Sequence, residues 1–265
     1  MPQMLIFGLG YSAGVLAARL KGLGWTVCAT GRNGDLDFAD RDAVEAALAG
    51  SSHVLSSVPP APADGDPVLA AYGEALANCG AWLGYFSSTG VYGDTGGAWV
   101  DETAALVGSG GQGRRTARAE ADLAWQALTP KVRVFRLPGI YGPGRSPLDR
   151  VASGAAHRID LPQQVFSRVH VEDIASGVIA ALTGPPGVYN LADDLPASQN
   201  SVIEEACRLL GREPPPLLSL AEARLSPMAA AFYAENRRVA NGKAKRVLRW
   251  SPAYPTFVEG LRALV

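Results

Sequence analysis

Three small residues at fixed spacing carry the first chemistry visible in this chain. Gly8, Gly10 and Ala13 stand in Met4-Leu5-Ile6-Phe7-Gly8-Leu9-Gly10-Tyr11-Ser12-Ala13, between a short apolar run and an amphipathic helical pattern that starts at about Ser12. The pattern predicts a strand, a glycine turn and a helix. Gly8 lets the chain turn sharply, and Gly10 removes a Cβ where a pyrophosphate would approach. Ala13 keeps the helix close to the strand. Free N–H groups at the helix start, those of Tyr11 and Ser12 among them, would face the anion. A tight turn with no ligand has the same spacing. The position between strand and helix, with residues 25–30 reading as the next strand, favours a dinucleotide. After that strand, Thr30-Gly31-Arg32-Asn33 offers no carboxylate to a ribose 2′-hydroxyl. Arg32 could instead accept a 2′-phosphate, which predicts NADP rather than NAD, the alternative being a solvated arginine in a turn.

The elements that must position these residues come in strict alternation. A helix is expected over 41–48, a strand over 53–58, a Pro- and Ala-rich loop over 59–67, a helix over 68–78 and a strand over 82–87. Strands alternating with helices imply a parallel sheet with right-handed crossovers, whose C-terminal edge binds ligands. His53 falls at the start of its strand, far from that edge, and reads as structural. Later, helices are expected over 148–153, 172–182, 198–210 (ended by Gly211) and 226–234, and residues 256–264 close the chain. Residues 157–166 read as irregular or extended, and 212–216 as a linker.

The 265 residues, 48% hydrophobic and 18% charged, suit a nucleotide-binding domain with a smaller appendage. A net charge of -1 gives no general attraction to nucleic acid or to an anionic membrane. Cys28, Cys79 and Cys207 lack metal-ligand spacing and read as buried, reduced thiols, so no metal is expected. No apolar run approaches the roughly 20 residues of a membrane span, and no signal peptide precedes the first strand. The expected location is the cytoplasm.

At the end of the fourth strand, Ser87-Ser88-Thr89-Gly90-Val91-Tyr92-Gly93 resembles the extended short-chain dehydrogenase/reductases, the epimerase and dehydratase branch that acts on nucleotide sugars. Further strings are similar to that family in the same order. They are Arg136-Leu137-Pro138-Gly139-Ile140-Tyr141-Gly142-Pro143-Gly144, Arg168-Val169-His170-Val171-Glu172-Asp173, Val188-Tyr189-Asn190-Leu191, and the closing stretch from Asn241 to Pro252. The resemblance covers essentially the whole chain. It implies a doubly wound parallel sheet, an NAD(P)-binding Rossmann core over 1–143, and a smaller C-terminal substrate lobe over 144–265. A segment of about 169–192 would return to the core sheet.

By that resemblance Ser88, with Thr89 beside it, would hold the reacting oxygen of the substrate. The expected cofactor contacts are Gly8, Gly10, Tyr11, Ser12, Ala13, Arg32, Asp37, Ser57 and Arg118. Two features depart from the family. Its first motif is Gly-x-x-Gly-x-x-Gly, and aligning the middle glycine with Gly10 puts Phe7 and Ala13 in the outer places. Its Tyr-x-x-x-Lys should fall on the helix after Ser88, where Arg114 takes the tyrosine's place and Arg118 the lysine's. In the family the phenol is the general acid/base for carbinol oxidation. Arginine stays charged and cannot exchange that proton, although Arg118 could still bond the nicotinamide ribose. Tyr92, Tyr141 and His170 read as packing or structural contacts.

Two functions therefore remain open. One is an NADP-linked epimerase, dehydratase or reductase on a nucleotide-sugar-like or other small substrate, possessing a non-standard acid/base. The other is an NADP-binding regulatory module without turnover. A homodimer is compatible with either. The late basic residues Arg237, Arg238, Lys243, Lys245, Arg246 and Arg249 read as a phosphate-facing patch or as a solvated helix face.

Overall fold

The computed structural model describes residues 1–62, 64–108, 114–225 and 233–265. Strand β1 (Gln3–Phe7) leads through the glycine turn into helix α1 (Tyr11–Gly22), and β2 (Thr26–Ala29) precedes α2 (Arg41–Gly50). Then come β3 (His53–Ser56), α3 (Pro67–Asn78), β4 (Trp82–Ser88), a 3-10 turn at Thr89–Tyr92 and a short β5 (Trp99–Val100). Helix α4 (Arg114–Leu128) and β6 (Val132–Leu137) complete the first alternation. Beyond them lie β7 (Gly139–Tyr141), α5 (Pro147–Ala152), β8 (Arg158–Ile159), β9 (Arg168–His170), α6 (Val171–Ala181) and β10 (Gly187–Asn190). Helix α7 (Gln199–Leu209), β11 (Leu217–Leu218), β12 (Arg238–Val239), α8 (Gly242–Leu248) and α9 (Phe257–Arg262) end the chain. The helix expected over 226–234 falls, for 226–232, outside the described residues.

The central sheet is parallel throughout, in the order β10-β6-β4-β3-β1-β2. This is the doubly wound fold expected. Its strands read as continuous apolar runs because both faces are covered. In β1, Met4 and Ile6 pack in one core, Leu5 and Phe7 in the other, and all four are fully buried. Helices α1 and α6 cover the first face through Leu16, Leu20, Ile174 and Val178. Helices α2, α3 and α4 cover the second through Val44, Val68, Leu76 and Trp125. From β1 the chain goes to β2 on one side and afterwards to β3 on the other. That reversal opens a crevice at the carboxyl ends of β1 and β3. A separate apolar core joins α5, α7 and α9 through Leu148, Val151, Val202, Ile203, Phe257 and Leu261. Among the described residues, no helix is long and apolar enough to cross a membrane.

Two strands are shorter than the sequence predicts. The runs expected over 25–30 and 53–58 end at Ala29 and Ser56. Thr30, Ser57 and Val58 lie beyond the sheet and line the crevice instead. Strands β5, β7, β8, β9, β11 and β12 were not expected. They have two or three residues each, too few to show a period of two. Of the three free cysteines only Cys207 is fully buried, while Cys28 and Cys79 are half-buried.

Helix α4 is fastened to the sheet by a buried ionic cluster. Arg114, Arg118 and Asp122 recur at intervals of four, which puts them on one helix face. Arg136 on β6 donates to both oxygens of Asp122, from Nη2 at 2.8 Å and Nε at 3.0 Å. Ser87, paired with Arg136 across β4 and β6, donates to Asp122 at 2.5 Å. Arg136 also donates to the Tyr92 hydroxyl at 3.0 Å, which in turn donates to Asn190 Oδ1 at 2.8 Å. Removing the carboxylate would leave a buried guanidinium unpaired. Asp122→Ala should therefore cost about 3–5 kcal/mol of unfolding free energy, read from urea denaturation. The double change Asp122→Leu with Arg136→Met should cost markedly less, since neither charge is then stranded.

Candidate functional site

Three adjoining cavities run along the carboxyl edge of the sheet. The first, about 620 Å³, is lined by Gly8, Gly10, Gly31, Arg32, Phe38, Ser57 and Val58 among others. The second, about 380 Å³, takes in Gly10, Tyr11, Ser12, Ala13, Ser57, Ser88, Arg114, Arg118 and Arg145. The third, about 270 Å³, is bounded by Ser88, Thr89, Arg114, Arg115, Arg118, Phe166, Glu235 and Arg237. Gly10, Ser57 and Pro59 are common to the first two. Ser88, Arg114, Arg118, Pro138 and Gly139 are common to the second and third. The result is one cleft, with Arg32 near one end and Arg237 near the other.

The glycine turn is built as its spacing predicts. Gly8 has φ +83°, and a Cβ there would meet Val58 Cγ2 at 2.9 Å. Leu9 N–H donates to the Thr30 carbonyl at 2.9 Å, and Gly8 N–H to Thr30 Oγ1 at 3.2 Å. Ser57 Oγ donates to the Gly8 carbonyl. A Cβ on Gly10 would meet nothing within 4 Å, so its open side is the cleft. Gly10 caps α1 without a side-chain acceptor, and the first turn holds no acidic residue. The leading N–H groups of α1 are thus left for an anion, which is what a pyrophosphate needs. Arg145 adds positive charge nearby, its guanidinium 5.9 Å from the centroid of the Tyr11 ring.

Of the residues expected to bind cofactor or substrate, all but Asp37 line this cleft. Asp37 is exposed and accepts from Ala39 N–H at 3.0 Å. Ser88 starts the 3-10 turn, where its Oγ accepts from Gly90 N–H at 3.1 Å and keeps its own proton free to donate. Arg118 is half-buried. Burial, and then the charge of Arg114, lower its pKa, yet a guanidinium stays protonated. Neither Arg114 nor Arg118 has a hydrogen-bond or ion-pair partner among the described residues. Arg115 pairs with Glu235, and Arg237 reaches the other oxygen of Glu235 at 2.5 Å and the Gly93 carbonyl at 2.8 Å.

No phenol in the region is tuned as a base. Tyr92 and Tyr141 are buried, and burial raises the pKa of both. Tyr11 donates to the Pro143 carbonyl at 3.0 Å, and its pKa also rises through burial. The late basic cluster does not form one patch. Arg237 alone of the six lines the cleft; Lys245 pairs with Asp194 at 2.6 Å, Arg238 donates to the Gly97 carbonyl, and Lys243 lies over the Tyr189 ring. Arg115, Arg145 and Glu235 were not foreseen. The one signal available for any of them was the neighbourhood of Arg114 and Arg115 at the helix start.

The fold, a parallel sheet flanked by helices, is that of solved epimerase and dehydratase structures. The solved structure of a functionally unknown conserved protein from Silicibacter pomeroyi is 42% identical, with all of this chain and 98% of that one aligned at a TM-score of 0.88. This chain belongs to the same family. Protein YeeZ of Escherichia coli K12 is 27% identical over 245 residues, 81% of this chain and 86% of that protein. A Streptomyces 3-diazoavenalumate denitrifying reductase is 29% identical over 163 residues, 55% of this chain and 52% of that protein. At the level of fold, a human epimerase family protein solved with NADPH superposes with a TM-score of 0.74 at 16% identity, over 99% of this chain and 98% of the human one. No protein-family profile matches the chain.

His170, read as structural, caps α6 by accepting from Glu172 N–H at 3.3 Å. Burial pushes its pKa down to about 4, so it is a neutral cap and not a base at neutral pH. The unfolded chain binds a proton here near pH 6.5 and the folded one does not, so this contribution is present above that pH and fades as pH falls toward 4. Asp193 acts oppositely: burial raises its pKa to about 8, so its contribution fades as pH rises. His170→Asn keeps the cap and the Asp193 contribution. Between pH 7 and pH 4, the unfolding free energy of the unaltered protein, measured in urea, should drop relative to that of His170→Asn.

Proposed function

We propose that the protein is an NADP-linked reductase of a small molecule. The observation that carries this reading is the pairing of Ser88 with Arg118 in one cavity, where no tuned phenol is present. Oxidation of a carbinol, the first step of epimerase and dehydratase chemistry, needs a base to take the hydroxyl proton. Reduction of a carbonyl needs the reverse: a place for negative charge to develop. Ser88 Oγ–H donates to that oxygen and the Arg118 guanidinium holds its charge, while solvent supplies the proton. Bound NADPH would supply the hydride. The Streptomyces relative, named as a reductase, is in keeping with this direction. The missing phenol also favours a second reading, an NADP-binding regulatory module without turnover.

The cofactor reading places the pyrophosphate on Gly8, Gly10 and the start of α1, with the adenosine end in the cavity of about 620 Å³ near Arg32. NADPH should bind more tightly than NADH by tenfold to a hundredfold, about 1.5–3 kcal/mol for one charge-assisted contact, and Arg32→Ala should erase most of the difference. Fluorescence titration of both cofactors measures this, and Gly10→Val should abolish binding of either. Equal affinities would make Arg32 a surface residue.

Turnover separates the two readings. A screen of small carbonyl compounds and nucleotide sugars, followed by NADPH absorbance and product analysis, should reveal a substrate. Ser88→Ala should then lower kcat by about a hundredfold or more, the usual cost of one oxyanion donor. A rate indifferent to Ser88→Ala would refute the assignment, and tight NADPH binding with no turnover at all would support the regulatory module.

A further inference from the structure

The cavity beyond Ser88 holds more positive charge than the fold can use. Four guanidiniums, those of Arg114, Arg115, Arg118 and Arg237, face one carboxylate, that of Glu235. Glu235 is already committed to Arg115 and Arg237. Arg114 and Arg118 stand one helical turn apart, and like charges at that spacing destabilise a helix. The mutual effect is visible in Arg118, whose pKa is lowered by burial and by Arg114. Among the described residues, no carboxylate is paired with either arginine.

A bound dinucleotide would account for Arg118, at the nicotinamide ribose, but would leave Arg114 over. The pyrophosphate site at the start of α1 has its own cation, Arg145. The cavity with the four guanidiniums includes no residue of α1, although Arg114 and Arg118 also border the adjoining cavity that does, and Pro138, Val165, Phe166 and Val239 add apolar surface to its lining. Its volume of about 270 Å³ lies below the range of about 300–1,000 Å³ typical of drug-sized ligands. We infer that this cavity takes a small carboxylate-bearing carbonyl compound, its carboxylate on Arg114 and its apolar body against Phe166. A carboxylate matches the planar fork of a guanidinium. It would also relieve the repulsion between Arg114 and Arg118. The inference rests on the reading of the cleft as an NADPH site and names the substrate class for it.

The test uses the intact protein saturated with NADPH, after titration has shown that NADPH binds. Failure at that first step refutes the cofactor reading and is distinct from failure of the carboxylate comparison. Pyruvate, 3-oxobutanoate, benzoylformate and phenylpyruvate are each compared with their methyl esters, by calorimetric binding and by the rate of NADPH oxidation. At least one acid should bind at least tenfold more tightly than its ester. Arg114 is the exposed first residue of α4, so Arg114→Gln should fold normally. It should erase a preference of about tenfold to a hundredfold by weakening the acid far more than the ester. Arg114→Lys should restore part of it. Esters or UDP-glucose binding as well as the acids would overturn the inference, as would no binding of any acid to the NADPH complex. A loss of NADPH affinity in Arg114→Gln, with acid and ester still distinguished, would overturn it too.

Discussion

The buried pair between Asp122 and Arg136 is the contact on which the arrangement of the site depends. It joins α4 to β6, and through Ser87 to β4, while Tyr92 and Asn190 extend it to β10. Two charges removed from water are costly, and the cost is offset only where geometry and hydrogen bonds are complete. Here Arg136 approaches both oxygens of Asp122, and Ser87 and Tyr92 take part of what remains. A side chain at this depth has few alternative partners, so the pair sets the rotation of α4 about its axis. Arg118 and Arg114 stand one and two turns above Asp122 on the same face, and are thereby turned toward the cleft that holds Ser88.

The second constraint is the glycine turn. Gly8 holds a positive φ against Val58, where any side chain would collide, and Gly10 leaves the approach to α1 open. The helix start is uncapped and faces a cavity, the arrangement an anion completes. These two constraints act at opposite sides of the same cleft. One leaves the first N–H groups of α1 open to the cleft and the other sets guanidiniums beside a serine. Where the family resemblance implies a proton-exchanging phenol, this chain has Arg114, a permanent positive charge. That exchange favours reactions in which negative charge appears over those in which a proton must be removed.

Neutral and charged groups elsewhere are disposed in keeping with this reading. His170 is held neutral as a helix cap, and the phenols of Tyr92 and Tyr141 are buried with raised pKa values. None competes for a role in proton transfer near neutral pH. The positive charge of the cleft is partly balanced by Glu235, which keeps Arg115 and Arg237 in place while leaving Arg114 and Arg118 available.

The alternation of apolar runs with helical patterns was enough to predict the parallel sheet, because strands covered on both faces are apolar throughout and their period needs no knowledge of partners. The glycine turn and the caps at Ser198 and Gly211 were legible for the same reason: each is a local device, readable from its own stretch of sequence. That Arg114 and Arg118 stand where a tyrosine and a lysine are expected came from the family resemblance and not from the residues themselves. What the tertiary structure decided was which distant charges meet. Glu235 reaches Arg115 across the molecule, Asp122 finds Arg136 on another element, and Lys245 is diverted to Asp194 and away from any common patch. Such pairings depend on the packing of helix against sheet and of lobe against core. A charge in a sequence carries no record of its partner, because the distance between two charges is set by the fold and not by the number of residues between them.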